Sequence, residues 1–249
     1  MASKPAASFL VRHDFLLRRV HSLTGLIPVG AYMVVHLATN ASIWNGAGTY
    51  QQAVNQIHSL GGLLPLVEWA FIFLPILFHG IYGIAIIRSG LPNNGSYPTS
   101  SNIRYTLQRA TGLIAFLFIM WHVFHMHGWI HSETWREFIR PLGAQFAPFN
   151  AATSATAAMQ QSPLIRIGYL VGILACVFHL ANGIWTMGIT WGLWITPEGQ
   201  RRGNFVAGGV GAIILVIGVA AWAGFALKTK TDSDEFRDMR KVEDKILES

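Results

Sequence analysis

The residues best equipped for chemistry in this chain are its ten histidines. Four of them, His36, His79, His122 and His179, lie deep inside long apolar stretches. A coordinating side chain within a bilayer is costly and marks a functional position by default. The single cysteine, Cys176, also sits in an apolar stretch, which rules out an intrachain disulfide, a CxxC pair and a thiolate-held cluster. A redox centre carried by this chain must therefore use other ligands, and the histidines are the obvious supply.

Two imidazoles facing each other at one depth are what a six-coordinate heme requires, because its axial ligands approach the iron from opposite sides of the ring. Counted from where each helix enters the membrane, all four histidines sit about 15 residues in, or about 22 Å along the axis. Alternating helix direction then places His36 and His122 in an outer layer and His79 and His179 in an inner one. The layers are separated by on the order of 10 to 15 Å, so two hemes stacked across the membrane are expected. His125, one turn beyond His122 on nearly the same face, is an alternative ligand on the third helix.

Short internal matches accompany this pattern. Phe78 to Ile84 and Phe178 to Ile184 share FHxxxGI, and Gly83 and Gly183 would let a flat macrocycle lie against the backbone one turn past each histidine. Thr24-Gly25-Leu26-Ile27 and Thr111-Gly112-Leu113-Ile114 open the two helices of the outer pair. Ordinary helix-packing glycines are the alternative explanation for both matches.

The elements that must position these histidines follow from composition. Of 249 residues, 52% are hydrophobic and only 12% charged, and the mean hydropathy is +0.39, which points to a polytopic membrane protein. The net charge of +6 is dispersed, with no Lys/Arg patch interleaved with stacking aromatics, so nucleic acid is not an expected partner. Windows of about 20 apolar residues, long enough to span a bilayer, fall near 22–42, 63–87, 107–130, 164–195 and 205–227. The expected fold is all-α, with five transmembrane helices and a diheme four-helix core, forming one domain over 1–228. Pro28, Pro65 and Pro75 are tolerated where neighbouring helices satisfy the freed carbonyls. The charged segment 229–249 reads as a solvated tail or short surface helix, and 144–162 as a long loop with possible local helix.

Orientation follows from the basic residues. Lys4, Arg12, Arg18, Arg19, Arg88, Arg104, Arg109, Arg201 and Arg202 cluster on one set of connections, opposed there by Asp14 and Glu198. Those connections should face the cytoplasm, with the amino terminus inside and the carboxyl terminus outside. The first apolar run is as long as a full span and lacks a convincing cleavage site, so it reads as a retained helix rather than a signal peptide.

Several runs resemble a known family. They are Arg18-Arg19-Val20-His21-Ser22-Leu23 with Gly25 to Gly30, Phe73-Leu74-Pro75-Ile76-Leu77-Phe78-His79, Leu107-Gln108-Arg109-Ala110-Thr111-Gly112 with Trp121-His122, and Val177 to Pro197. Over about residues 15–205 the chain resembles the succinate dehydrogenase/fumarate reductase cytochrome b558 family, the five-helix diheme membrane anchors. The resemblance implies His36 and His122 on a distal heme b and His79 and His179 on a proximal one. It also implies partner subunits carrying iron-sulfur clusters and FAD, menaquinone as the lipid-soluble acceptor, and a bacterial cytoplasmic membrane. His21, Ser22 and Arg109 would lie near the proximal propionates, although Arg109 is equally a positive-inside anchor. Glu68, the one carboxylate inside a span, would protonate quinone near the distal heme, its alternative being an interfacial, solvated glutamate. His125, His127 and His131 read as wet loop residues at the outer surface.

Three other readings compete. The anchor of a fumarate reductase, or the diheme b subunit of another quinone-linked dehydrogenase, keeps the hemes and changes the partner. A metal transporter built on His122, His125, His127 and His131 would need carboxylate-lined helices, which these spans lack. A heme-free anchor leaves the matched histidines without a purpose.

Overall fold

A computed structural model describes residues 12–90, 92–231 and 233–248. Lys4, counted above among the topology-setting residues, lies outside them. Among the described residues there is no strand. Five helices among the described residues are long and apolar enough to cross a membrane: Asp14–Asn45, Gly61–Arg88, Ser100–Met126, Pro163–Thr190 and Pro197–Lys228.

Local capping decides where these helices begin, and it moves several ends away from the hydropathy windows. Thr99, Ser162 and Thr196 have extended backbone, and their side-chain oxygens accept from the amides of Asn102, Ile165 and Gly199 at 3.4, 3.2 and 3.1 Å. Pro163 and Pro197 then occupy the first helical position, where a missing N–H costs nothing. The fourth helix stops at Thr190 rather than running to 195. Gly192 takes a left-handed φ of 77°, and Trp194 folds back so that its Nε1 donates to the Trp185 carbonyl at 2.8 Å.

Irregular turns bend the first two spans. The first is broken at Ile27 (φ −130°, ψ 117°) ahead of Pro28, which separates a half carrying His21 from a half carrying His36. The second contains a widened turn over Trp69–Phe73, after which Leu74–Arg88 resumes with Pro75 in its first turn.

The fourth span is the centre of the bundle, packed on the third and fifth, while the first lies against the fifth and the second closes on the first. Leu37, Val177 and Ile214 form a buried apolar contact joining the first, fourth and fifth spans. Val35, Phe71, Leu117, Ile167 and Val216 face outward, as hydrocarbon surroundings allow.

Arg18, Arg19, Arg104 and Arg109 lie at one end of this bundle. The opposite end carries a folded cap made from Ala47–His58, Ala151–Gln160 and Asp234–Glu248. The local helix in 144–162 and the short surface helix of the tail are both present, and the cap they form together goes beyond that expectation. The N-terminal amides of Ala151–Gln160 are buried and need acceptors, and two distant side chains supply them. Gln51 accepts from the Ala151 amide at 2.9 Å, and Glu243 accepts from the Ala152 and Thr153 amides at 2.5 and 3.2 Å. The Thr153 hydroxyl donates to Glu243 Oε2 at 2.7 Å. Both Gln51 and Glu243 are fully buried. Burial raises the Glu243 pKa despite these donors, whose hydrogen bonds act the other way.

Candidate functional site

The four deep histidines meet in pairs. His79 of the second span and His179 of the fourth have ring centroids 6.0 Å apart with ring planes at 84°. His36 of the first span and His122 of the third are 5.7 Å apart at 71°. Two imidazoles sharing one metal ion, with bonds of about 2 Å, have centroids roughly 6 to 6.5 Å apart. Both pairs are close to that spacing.

The inner pair is held by a repeated device. Nδ1 of His79 donates to the carbonyl of His21 at 2.8 Å, and Nδ1 of His179 donates to the carbonyl of Gln108 at 3.0 Å. Each carbonyl is followed four residues later by a glycine, Gly25 or Gly112. A Cβ on Gly25 would overlap Cε1 of His79, and one on Gly112 would come within 2.7 Å of Cε1 of His179. The two TGLI runs therefore seat the histidines of the facing helices. In the sequence these runs only open the helices that bear the outer pair, and periodicity along one helix does not reveal the neighbour that a glycine admits. With Nδ1 engaged, the tautomer is set and Nε2 is left as the nitrogen that could accept a metal ion.

His79 and His179 line one cavity of about 870 Å³ together with Gly83 and Gly183. Its walls include Leu26, Val29, Ile84, Phe116 and Leu180, and its mouth at the arginine-rich end carries Arg18, Arg19, His21, Ser22 and Arg109. Apolar walls, two opposed imidazoles and a cationic mouth suit a flat hydrophobic macrocycle bearing carboxylates at one edge. His21 stacks on His79 with centroids 4.0 Å apart and planes at 8°, and its Nδ1 is buried without a hydrogen bond. Ser22 accepts from Trp191 Nε1 at 2.9 Å and donates to the Arg19 carbonyl at 3.0 Å. Arg109 stacks on Tyr105 at 4.0 Å and donates to the carbonyls of Ile87 and Gly90. Gln108 was missed as a positioning residue. Its role rests on a main-chain oxygen, which residue type does not signal.

In the outer pair, the geometry separates His122 from His125. His125 is 2% exposed, stacked on Trp121, with Nδ1 2.8 Å from the Tyr169 hydroxyl and Nε2 3.5 Å from Gln161 Oε1. It is a core residue engaged by Trp121, Tyr169 and Gln161, not a wet loop residue. His122 faces His36, and its Nδ1 is 3.2 Å from the same Tyr169 hydroxyl. Asn40 donates to the His36 carbonyl at 2.7 Å, and its amide nitrogen lies 3.4 Å from His36 Nε2. Tyr169 was missed because a tyrosine in a membrane helix ordinarily reads as packing or interface.

At the outer end, Glu68 is not a solvated glutamate. Its side chain is 16% exposed, and Oε2 is buried without a hydrogen bond, 3.6 Å from His127 Nε2 and 3.8 Å from His131 Nε2. His127 and His131, expected as wet loop residues, are brought together with it. Burial first, and then the neighbouring His127, hold the His131 imidazole below its ordinary pKa.

Compared with curated proteins, the chain is 35% identical over 193 residues to the succinate dehydrogenase cytochrome b558 subunit of Bacillus subtilis (strain 168). The match covers 78% of this chain and 88% of that relative. No protein-family model matches the chain.

Proposed function

The chain belongs to the succinate dehydrogenase cytochrome b558 family, and from that membership and its two histidine pairs we propose that it carries electrons from an iron-sulfur partner subunit to menaquinone. It is a multi-pass membrane protein and a subunit of an enzyme complex. The observation that carries the reading is the paired seating of His79 and His179 on one cavity, repeated at the other depth by His36 facing His122. His79 with His179 and His36 with His122 would hold two b hemes, which would supply one-electron relay.

The remaining work falls to the chain's own side chains. The carbonyls of His21 and Gln108 orient the proximal ligands, and Gly25 and Gly112 let them approach. Arg18, Arg19 and Arg109 stand at the cavity mouth, where propionates would be neutralised, with His21 and Ser22 between them. The arginine-rich end faces the cytoplasm and takes the iron-sulfur subunit, with the flavoprotein beyond it, which leaves the capped end outside. At that outer end the half-buried carboxyl of Glu68 delivers a proton to quinone as it is reduced.

The test is to purify the complex through a tag on this chain and assay succinate-dependent reduction of a menaquinone analogue. Co-purification of flavin and iron-sulfur subunits with that activity is expected. A colourless chain isolated alone from native membranes would end the proposal.

A further inference from the structure

Glu68, His127 and His131 come from separate places in the sequence and converge on one point at the capped end. Glu68 closes the Leu64–Glu68 turn, His127 follows the last residue of the third span, and His131 lies in the loop beyond. Their facing atoms are Glu68 Oε2, His127 Nε2 and His131 Nε2, at mutual separations of 3.6, 3.8 and 3.2 Å. A tetrahedral ion with bonds of about 2.0 to 2.1 Å sets neighbouring ligand atoms about 3.4 Å apart. The three separations bracket that edge length, and a shift of a few tenths of an ångström closes the longest.

The chain takes an unfavourable course to make this arrangement. Between the two histidines, Gly128 (φ 83°) and Trp129 (φ 68°) both lie in the left-handed region, which a tryptophan rarely adopts. The reversal is fixed by Gly128 N donating to the Val123 carbonyl at 2.8 Å and Trp135 Nε1 donating to the Gly128 carbonyl at 2.7 Å. Trp129 packs on Phe73 with centroids 5.2 Å apart. This turn brings His131 back onto His127. The buried Glu68 Oε2 has no hydrogen-bond donor of its own, and a buried carboxylate oxygen without one is costly.

We propose that Glu68, His127 and His131 form a divalent-cation site suited to Zn²⁺, open to solvent at a fourth position, and that occupying it blocks quinone reduction. Two imidazoles and one carboxylate are a donor set that zinc accepts with one position left open. His131, at 39% side-chain exposure, gives the ion its route from the aqueous side. The site itself stands on this geometry. Its effect on turnover rests on the reading of Glu68 as proton donor, since a carboxylate bound to the ion is no longer free to carry a proton.

The test uses the purified complex, freed of loose metal with chelator, and Zn²⁺ alone as the probe. Equilibrium dialysis should find one more Zn²⁺ per anchor chain in the wild type than in His131→Gln, or an affinity higher by roughly tenfold or more. His131→Gln changes an exposed loop residue and leaves both heme pairs untouched, so heme content confirms that the variant has folded. Equal Zn²⁺ stoichiometry and affinity in the two proteins would overturn the site. In parallel, Zn²⁺ should inhibit succinate-dependent quinone reduction in the wild type, reversibly with chelator, and spare succinate reduction of a soluble dye. Zn²⁺ bound with quinone reduction undiminished would overturn the block and the Glu68 role behind it, while leaving the cation site in place.

Discussion

His79 donates from Nδ1 to the main-chain carbonyl of His21 at 2.8 Å while the two imidazoles lie stacked 4.0 Å apart. One residue thus supplies both the acceptor that sets the tautomer of His79 and a flat surface for its ring. The approach is possible because Gly25, one turn further on, has no side chain where His79 lies. A methyl group at Gly25 or Gly112 therefore acts directly on His79 or His179, the proposed proximal ligands. Gly25→Ala and Gly112→Ala should each remove or loosen the proximal heme and leave the distal one. The check is a heme count that falls from two toward one, with a single set of spectral bands retained.

Tyr169 bridges His122 and His125 through one hydroxyl, at 3.2 and 2.8 Å. If Nδ1–H of His122 donates to that oxygen, the imidazole is made more electron-rich, which favours the oxidised iron. Tyr169→Phe removes the acceptor and should raise the midpoint potential of the distal heme while both hemes are retained. Redox titration of the purified complex checks this. An unchanged potential would separate Tyr169 from the ligand.

Glu68→Gln should lower quinone reductase turnover by on the order of 100-fold, as loss of a positioned proton donor does, with both hemes present and succinate reduction of a soluble dye intact. Steady-state assays with the two acceptors separate a proton-delivery defect from misfolding. Unaltered quinone turnover would remove Glu68 from the mechanism.

Much of the fold was legible in the sequence, because a polar residue in an apolar run stands out. Five spans and four histidines at matching depth needed only hydropathy and helix rise. What stayed hidden depends on contacts between elements. Gln108 acts through a carbonyl, Gly25 and Gly112 act on the neighbouring helix, and His125 is drawn into the core by Tyr169 and Gln161. His127 and His131 read as loop residues until the left-handed turn at Gly128 and Trp129 brings them to Glu68. Glu243 has the composition of a solvated tail, yet it is fully buried as the cap of a helix more than 80 residues earlier, a pairing that no local pattern encodes.

That cap is open to test. Glu243→Ala leaves the Ala152 and Thr153 amides without their acceptor and should weaken docking of Asp234–Glu248 by about 1–3 kcal/mol, seen as faster proteolysis of the carboxyl-terminal segment and faster amide exchange at Ala152. Its pH dependence has a defined sign. Burial raises the Glu243 pKa above 4.5, so the folded state holds the proton more tightly than the unfolded one. This contribution to docking is complete below pH 4.5 and falls as pH rises through the raised value. Glu243→Gln should abolish that slope.

The most direct test of the account is a heme-to-polypeptide ratio with a reduced-minus-oxidised spectrum, taken on the wild type and on His36→Ala, His79→Ala, His122→Ala, His179→Ala and His125→Ala. Two b hemes are expected in the wild type and in His125→Ala. Loss of one spectral component is expected in both the His79 and His179 variants and of the other in both the His36 and His122 variants. A single heme in the wild type, or a component lost on replacing His125 and kept on replacing His122, would contradict the account.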